Sequence, residues 1–204
     1  HRRQMSRGKE LFLGCKQLGE IVLCNSQEEW GKDKARGLYD MLAMAVTVFR
    51  DYALFDPMEF GSDLWMRRWD EKLLALVALD DLDGFEELWT CGEEDYEGKD
   101  YDIRSYPVEK RKMKLRIVYF RLLHPDRISD DTLELLRAYL RRHTGGTDAP
   151  QAWELIMEEH ADDLEYYQVF AGSGCITQDN FDSLLADAKD CSAEIKAYLL
   201  RYKE

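Results

Sequence analysis

The sequence contains few of the residues that interrupt helices, with four prolines and 13 glycines among its 204 residues. Proline removes a backbone hydrogen-bond donor and glycine costs conformational entropy, so a chain with so few of either favours long helices. No apolar run approaches the ~18 residues that a membrane-spanning helix needs. Residues 1–5 also lack the apolar core of a secretory signal. We therefore expect no membrane association and a cytoplasmic location.

Sequence patterns for metal, cofactor and nucleophilic chemistry are also missing. The five cysteines are odd in number and include no Cys-x-x-Cys pair, so we expect no zinc site and read each thiol as a small hydrophobic group of a reduced protein. None of the four histidines lies four residues from another. Neither a Gly-x-x-x-x-Gly-Lys phosphate loop nor a Gly-x-Ser-x-Gly elbow occurs. These absences predict a non-catalytic protein without cofactor-binding or metal-binding residues.

Three weaker patterns leave alternatives open. The acidic residues between positions 93 and 102 could suggest calcium, but they lack the spacing of an EF-hand loop. The acids around His160 could suggest a metal cluster, but the Glu-x-x-His spacing of helical bundles is missing, so a solvated turn is the better interpretation. Cys175 and His160 could pair as nucleophile and base, although no third residue is evident to orient them.

The charge of the chain is strongly unbalanced, with 28 basic and 41 acidic residues and a net charge of −13. Such a surface repels phosphates and argues against direct nucleic-acid binding, but it could attract a partner protein with a basic surface. One hypothesis is therefore an acidic decoy, an inhibitor that occupies the basic nucleic-acid-binding channel of a partner enzyme. Solubility alone is the simpler explanation of the charge.

One basic run, at residues 110–116, stands against this acidic background. We expect the acidic loop at 93–106 to neutralise it. A nucleic-acid-binding patch is the alternative, but five cations on one helical stretch are few for such a patch.

Apolar residues spaced three and four apart predict helices along most of the chain. The predicted helices cover residues 8–24, 26–49, 71–89 (a hairpin with its turn at Asp80 and Asp81), 108–123, 129–142, 153–157, 164–170, 177–188 and 192–199. Their predicted N-caps are Ser26, Ser129, Thr177 and Ser192. The pattern indicates an all-α fold of stacked antiparallel helical hairpins, with little or no β-structure. We expect an N-terminal helical region at 1–92, an acidic loop at 93–106 and C-terminal hairpins at 107–204, packed as one continuous array.

The stretch from 51 to 69 is rich in aromatic and arginine side chains, which are the residue types that most often anchor protein interfaces. The candidate interaction residues are Tyr52, Phe55, Phe60, Trp65, Arg67, Arg68 and Trp69. The alternative is that the aromatic rings fill the seam between helix layers. Exposure of Trp65 and Met66 together with the two arginines would favour the interface, and burial would favour core packing.

Several short segments resemble ankyrin-type repeats. Asp-Leu-Asp-Gly-Phe-Glu-Glu-Leu at 81–88 and Asp-Leu-Glu-Tyr-Tyr at 163–167 resemble the second helix of an ankyrin repeat. Residues 111–204 more closely resemble the C-terminal module of uncharacterised bacterial ankyrin-like proteins. The matching motifs are Tyr-Phe-Arg-Leu-Leu-His-Pro at 119–125, the helix at 129–142, Gly-Cys-Ile-Thr-Gln-Asp-Asn at 174–180 and Ala-Glu-Ile-Lys-Ala-Tyr-Leu-Leu at 193–200.

The repeat spacing agrees with this resemblance. Trp153 to Leu184 and Leu164 to Ile195 are both separations of 31 residues, close to the ~33-residue period of ankyrin repeats. The Thr-Pro-Leu-His signature of the first ankyrin helix is absent, so we expect degenerate helical hairpins rather than β-hairpin fingers. The resemblance implies a protein–protein interaction through a concave face and implies no catalytic residues.

Overall fold

The structure is a computed structural model, and it describes residues 32–55, 59–84, 105–145 and 151–202. Those residues form eight α-helices and no strand, which confirms the all-α class. The helices are α1 Lys32–Thr47, α2 Asp63–Ala78, α3 Ser105–Leu123, α4 Asp130–Arg142, α5 Ala152–Glu159, α6 Leu164–Gly172, α7 Phe181–Asp187 and α8 Ala193–Leu199. Short 3₁₀ segments occupy Tyr52–Phe55, Ala188–Asp190 and Leu200–Tyr202.

The chain divides into two compact units. The first extends to Leu76 and includes Asp126–Ser129, and the second comprises Val77–Pro125 and Asp130–Glu204. The division therefore falls near the end of α2, whereas the sequence suggests a division at the acidic loop. The predicted helix at 8–24 and the acidic residues at 93–102 lie outside the described residues.

Several helix ends are where local sequence signals predict them. Helix α3 ends just before His124 and Pro125, because proline disfavours helical backbone in the residue that precedes it. Helix α4 begins directly after Ser129, and its first turn carries two acids that suit the helix dipole. Ser192 caps α8, where its hydroxyl oxygen accepts a hydrogen bond from the backbone nitrogen of Ile195 at 3.3 Å.

The predicted cap at Thr177 is wrong. Helix α7 begins at Phe181, and the residue before it is Asn180. The amide group of Asn180 donates to the carbonyl of Cys175 at 2.8 Å and accepts from the backbone nitrogen of Thr177 at 2.8 Å. Asn180 thus organises a turn across residues 175–180, which delays the helix by about one turn.

In the first unit, the second half of α1 is buried on nearly every side. Met41, Leu42, Ala45 and Val46 are each exposed by 3% or less. The nearly continuous apolar run in this part of the sequence predicts such burial, because a helix that is apolar all round has no face to give to water. Helix α1 packs against the 3₁₀ segment Tyr52–Phe55.

In the second unit, α3 is the central helix. It packs against α4, α5 and α6, and α6 in turn contacts α5 and α8. The core contains Leu115, Val118, Tyr119, Leu136, Leu140, Leu155, Ile156, Tyr167, Phe170 and Ile195, each buried. The residues that repeat at a spacing of 31 occupy α5 and α7 in one case and α6 and α8 in the other. Stacking of ankyrin type stays a prediction.

Candidate functional site

The two tryptophans of the aromatic stretch belong to the core. Trp65 and Trp69 are 1% and 0% exposed. Their indole nitrogens donate hydrogen bonds to the backbone carbonyls of Leu54 at 2.7 Å and Met41 at 2.8 Å. We call this arrangement the tryptophan cluster. Both polar atoms that a partner could bind are already used, so Trp65 and Trp69 are withdrawn from the candidate interaction surface.

The remaining candidates of this stretch divide between core and surface. The ring of Phe60 packs edge-on against Trp65 with centroids 5.1 Å apart and is half-buried. Arg67 and Arg68 are exposed, and Arg68 forms an ion pair with Glu59. The predictions for the side chains of Tyr52 and Phe55 fall outside the described part of the chain. An interaction role for Phe60, Arg67 and Arg68 stays a prediction.

The basic run on α3 makes internal contacts on one side with helix α5. Lys112 forms an ion pair with Glu158 at 2.6 Å, and the Nε atom of Arg116 donates to Glu159 at 2.8 Å. The hydrogen bond from Arg116 lowers the pKa of Glu159. These two acids belong to the group around His160 that suggests a metal cluster, and here they neutralise cations of the same chain.

A second set of contacts joins α3 to the turn that follows α2. The Nζ atom of Lys114, whose side chain is 1% exposed, donates to Asp81 at 2.8 Å and to the carbonyl of Leu79 at 2.6 Å. Arg111 binds the other carboxylate oxygen of Asp81 at 2.7 Å. Burial alone would raise the pKa of Asp81, but the two hydrogen bonds outweigh burial and the pKa lies below its ordinary value.

Lys110, the fifth basic residue of the run, contacts the same turn after α2. Lys110 and the hydroxyl of Tyr106 both donate to the carbonyl of Asp83. Gly84 follows with a φ of +83°, and a Cβ there would lie 3.2 Å from the Tyr106 hydroxyl, which accounts for a glycine in this turn. All five basic residues of 110–116 therefore have partners within the chain, and the absence of nucleic-acid binding stays a prediction. The partners seen are Asp81, Glu158, Glu159 and two backbone carbonyls, whereas residues 93–104 lie outside the description.

The remaining alternatives for chemistry find little support in the geometry. His160 stacks on Tyr166 with ring centroids 3.6 Å apart, and its Nδ1 lies 3.0 Å from Asp163. Burial raises the pKa of the Cys175 thiol, which is the opposite of what a nucleophile needs. Within the described ranges, no group of three histidine, cysteine, aspartate or glutamate side chains is placed to hold a metal ion. No helix among these residues has the length and apolar character to cross a membrane.

An open cleft of about 530 Å³ lies between the end of α3, helix α4 and helix α6. Its volume is within the ~300–1,000 Å³ typical of ligand-binding pockets. Leu122, Leu123 and Pro125 form the end contributed by α3, and Leu133 lines the side contributed by α4. Pro125 is exposed and Leu133 half-buried, so the apolar surface of the cleft is reachable from solvent.

Helix α6 contributes one continuous stripe to the opposite side of the cleft. Glu165, Gln168, Val169 and Gly172 follow one another at helical spacing, and Ser173 closes the end. This stripe is about 10 Å long at 1.5 Å per residue. A partner segment of about three extended residues, or two helical turns, would match that length.

Two opposite charges face the cleft from its two sides. Arg137 on α4 and Glu165 on α6 both line it, and neither forms a hydrogen bond or ion pair with any described residue. The neighbouring arginine on α4 differs, because Arg141 pairs with Glu134 and donates to the carbonyl of Ser173 at 2.8 Å. No sequence pattern singles out Arg137 as a functional residue. Its spacing of four residues from Leu133 is the one local signal that places it on the cleft.

The fold and the cleft together define the class of protein: it is all-α, and its second unit contains an open, largely apolar cleft. The cleft is lined by one cation and one anion that have no partner among the described residues. No family model matches the chain, and neither a curated protein nor a solved structure does. The ankyrin-like resemblance therefore stays a prediction.

Proposed function

We propose that this chain is a non-catalytic protein–protein interaction module that holds a short segment of a partner protein in the cleft between α3, α4 and α6. The observation that carries the proposal is the combination, in one concavity, of accessible apolar side chains with two charges that have no partner among the described residues. Elsewhere in the described chain, the five basic residues at 110–116 of α3 have partners of their own. A partner segment would supply groups of opposite charge to Arg137 and Glu165, for which the described residues provide no partner.

The cleft supports this function better than the tryptophan cluster does. Interface hot spots need side chains that a partner can reach and desolvate. Trp65 and Trp69 offer almost no accessible surface. The cleft offers Leu133 and Val169, each half-buried, beside the exposed Pro125.

The acidic decoy receives less support than the interaction module. A decoy presents its acids to the basic channel of a partner. Glu158 and Glu159 instead pair with Lys112 and Arg116, and Asp81 is engaged by two cations at once. These acids serve the chain's own packing.

A substitution at Gly172 tests the proposal by filling the cleft. Gly172 lines the cleft, and a Cβ there would meet nothing within 4 Å, so Gly172→Trp fills the cleft from a position with open space. Gly145 has equally open surroundings and is not among the residues that line the cleft. Gly145→Trp is therefore the matched control for adding an indole ring to the surface.

The experiment is selection of random displayed peptides of about 12 residues, which exceeds the length of the cleft. Wild type, Gly172→Trp and Gly145→Trp are each immobilised and exposed to the same library. We expect wild type and Gly145→Trp to enrich a common apolar motif and Gly172→Trp to enrich none. Equal enrichment on all three proteins, or none on wild type, would contradict the proposed function.

A further inference from the structure

We infer that the partner segment is a dipolar apolar peptide, with one acidic side chain that binds Arg137 and one basic side chain that binds Glu165. This inference rests on the proposed function and names the chemistry of its ligand. It follows from the two charges that line the cleft and from the ion pair between Glu134 and Arg141 beside Arg137.

Arg137 offers a cation to an acidic side chain of the ligand. Its guanidinium group presents a planar set of donors that suits a carboxylate, and it forms no ion pair or hydrogen bond within the described residues. The nearby acid on the same helix, Glu134, is already paired with Arg141. An acidic group brought by a ligand would thus meet a half-buried cation that has no partner among the described residues.

Glu165 offers an anion on the α6 side of the cleft. It lies in the first turn of α6, is exposed, and forms no ion pair or hydrogen bond within the described residues. A ligand with acidic groups alone would gain from Arg137 and be repelled by Glu165. A ligand with basic groups alone would be attracted by Glu165 and repelled by Arg137. Only a segment that carries both charges around an apolar centre complements both sides of the cleft.

Charge reversal tests each contact by itself. Arg137→Glu should weaken binding of a selected dipolar peptide about tenfold, which is the scale expected for loss of one charge-assisted contact. Replacing the acid of the peptide with lysine should restore most of the affinity for this variant. Glu165→Lys should weaken binding similarly, and replacing the base of the peptide with glutamate should restore it.

The chain provides matched controls for both reversals. Arg142 is an exposed arginine on α4 that is not among the residues lining the cleft, so Arg142→Glu makes the same change in net charge. Glu194 occupies the first turn of α8 as Glu165 does that of α6, so Glu194→Lys controls for the helix dipole. Both control variants should change affinity less than about twofold.

The outcomes separate this inference from the proposed function. Affinity lost by Arg137→Glu and Glu165→Lys and restored by the complementary peptides supports the inference. A selected peptide that Gly172→Trp excludes but that responds equally to the charge variants and to their controls overturns the dipolar ligand and leaves the interaction module standing. Absence of any peptide that distinguishes wild type from Gly172→Trp overturns both.

Discussion

The tryptophan cluster and the cleft differ in how their polar groups are satisfied. In the cluster, the indole nitrogens of Trp65 and Trp69 bind backbone carbonyls, and both rings are buried. In the cleft, Arg137 and Glu165 have no partner within the described residues, and apolar side chains remain accessible. The two tryptophans therefore lie where no partner can reach them, while ordinary leucine and valine side chains contribute to the accessible concavity. Accessibility identifies the candidate site better than composition does.

The largest effect expected is at the tryptophan cluster. Trp69→Ala should destabilise the protein by about 3–5 kcal/mol, because it leaves a cavity in the core and removes the hydrogen bond from the indole nitrogen to the carbonyl of Met41. Trp69→Phe should cost less, since it retains most of the ring volume. Chemical denaturation measures both. An effect of Trp69→Ala below about 1 kcal/mol would show that the ring does not support the core.

The next effect concerns the junction of α3 with the turn after α2. Lys114→Met should cost about 3 kcal/mol, because it removes a buried partner of Asp81 and leaves the carbonyl of Leu79 without its donor. Lys112→Met is the control on the same helix. Its pair with Glu158 is half-exposed on the acid side, so its loss should cost less than about 1 kcal/mol. Equal denaturation midpoints for the two variants would contradict this difference.

The same junction should make stability depend on pH. Burial first, and then the positive charge of Arg111, lowers the pKa of His143, so the unfolded chain takes up a proton before the folded chain does. Stability should therefore fall as the pH drops below about 6.5, from about pH 7.5 towards about pH 5.5. His143→Asn should show a smaller fall over this window. Denaturation curves at the two pH values provide the check, and identical slopes for wild type and variant would refute the role of His143.

The lowered pKa of Asp81 should affect stability at a lower pH than His143 does. A carboxylate held below its ordinary pKa contributes stability above that value and loses it as the pH falls through the folded-state pKa. Asp81→Asn should therefore reduce the additional loss of stability seen below about pH 4. A loss of stability that is as steep in Asp81→Asn as in wild type would assign the acid sensitivity to other carboxylates.

The smallest effects are expected at the exposed arginines of the aromatic stretch. Arg67→Ala and Arg68→Ala should each change stability by less than about 0.5 kcal/mol, because their contacts are at the surface. Neither should alter binding of a peptide selected on the cleft. Titration of that peptide against the two variants measures the effect, and a loss beyond about threefold would show that these arginines contribute to binding.

Local signals account for what the sequence predicts of the fold. A proline after α3, serines before α4 and α8, and the acid pair Asp80 and Asp81 after α2 act on their own neighbours, so they can be interpreted without the rest of the chain. Thr177 and Asn180 show the limit of such signals. Both are acceptable near a helix start, and the choice depends on the carbonyl of Cys175, which only the folded turn presents.

The cleft could not be predicted in the same way. It brings together side chains from three helices, such as Leu122, Leu133 and Val169, and each looks like an ordinary core residue in its own helix. The burial of the two tryptophans could not be predicted for a related reason. The carbonyl that satisfies Trp69 belongs to Met41, 28 residues earlier, and no local pattern indicates that contact.

The most direct test of the central claim is to map where a selected peptide binds on the intact chain. Amide chemical shifts are followed by NMR while the peptide is added to wild type, with Gly172→Trp as the control. We expect the shifts to change around Leu133, Arg137 and Val169 in wild type and to stay unchanged in the variant. Changes that instead centre on Arg67 and Arg68, and persist in Gly172→Trp, would contradict it.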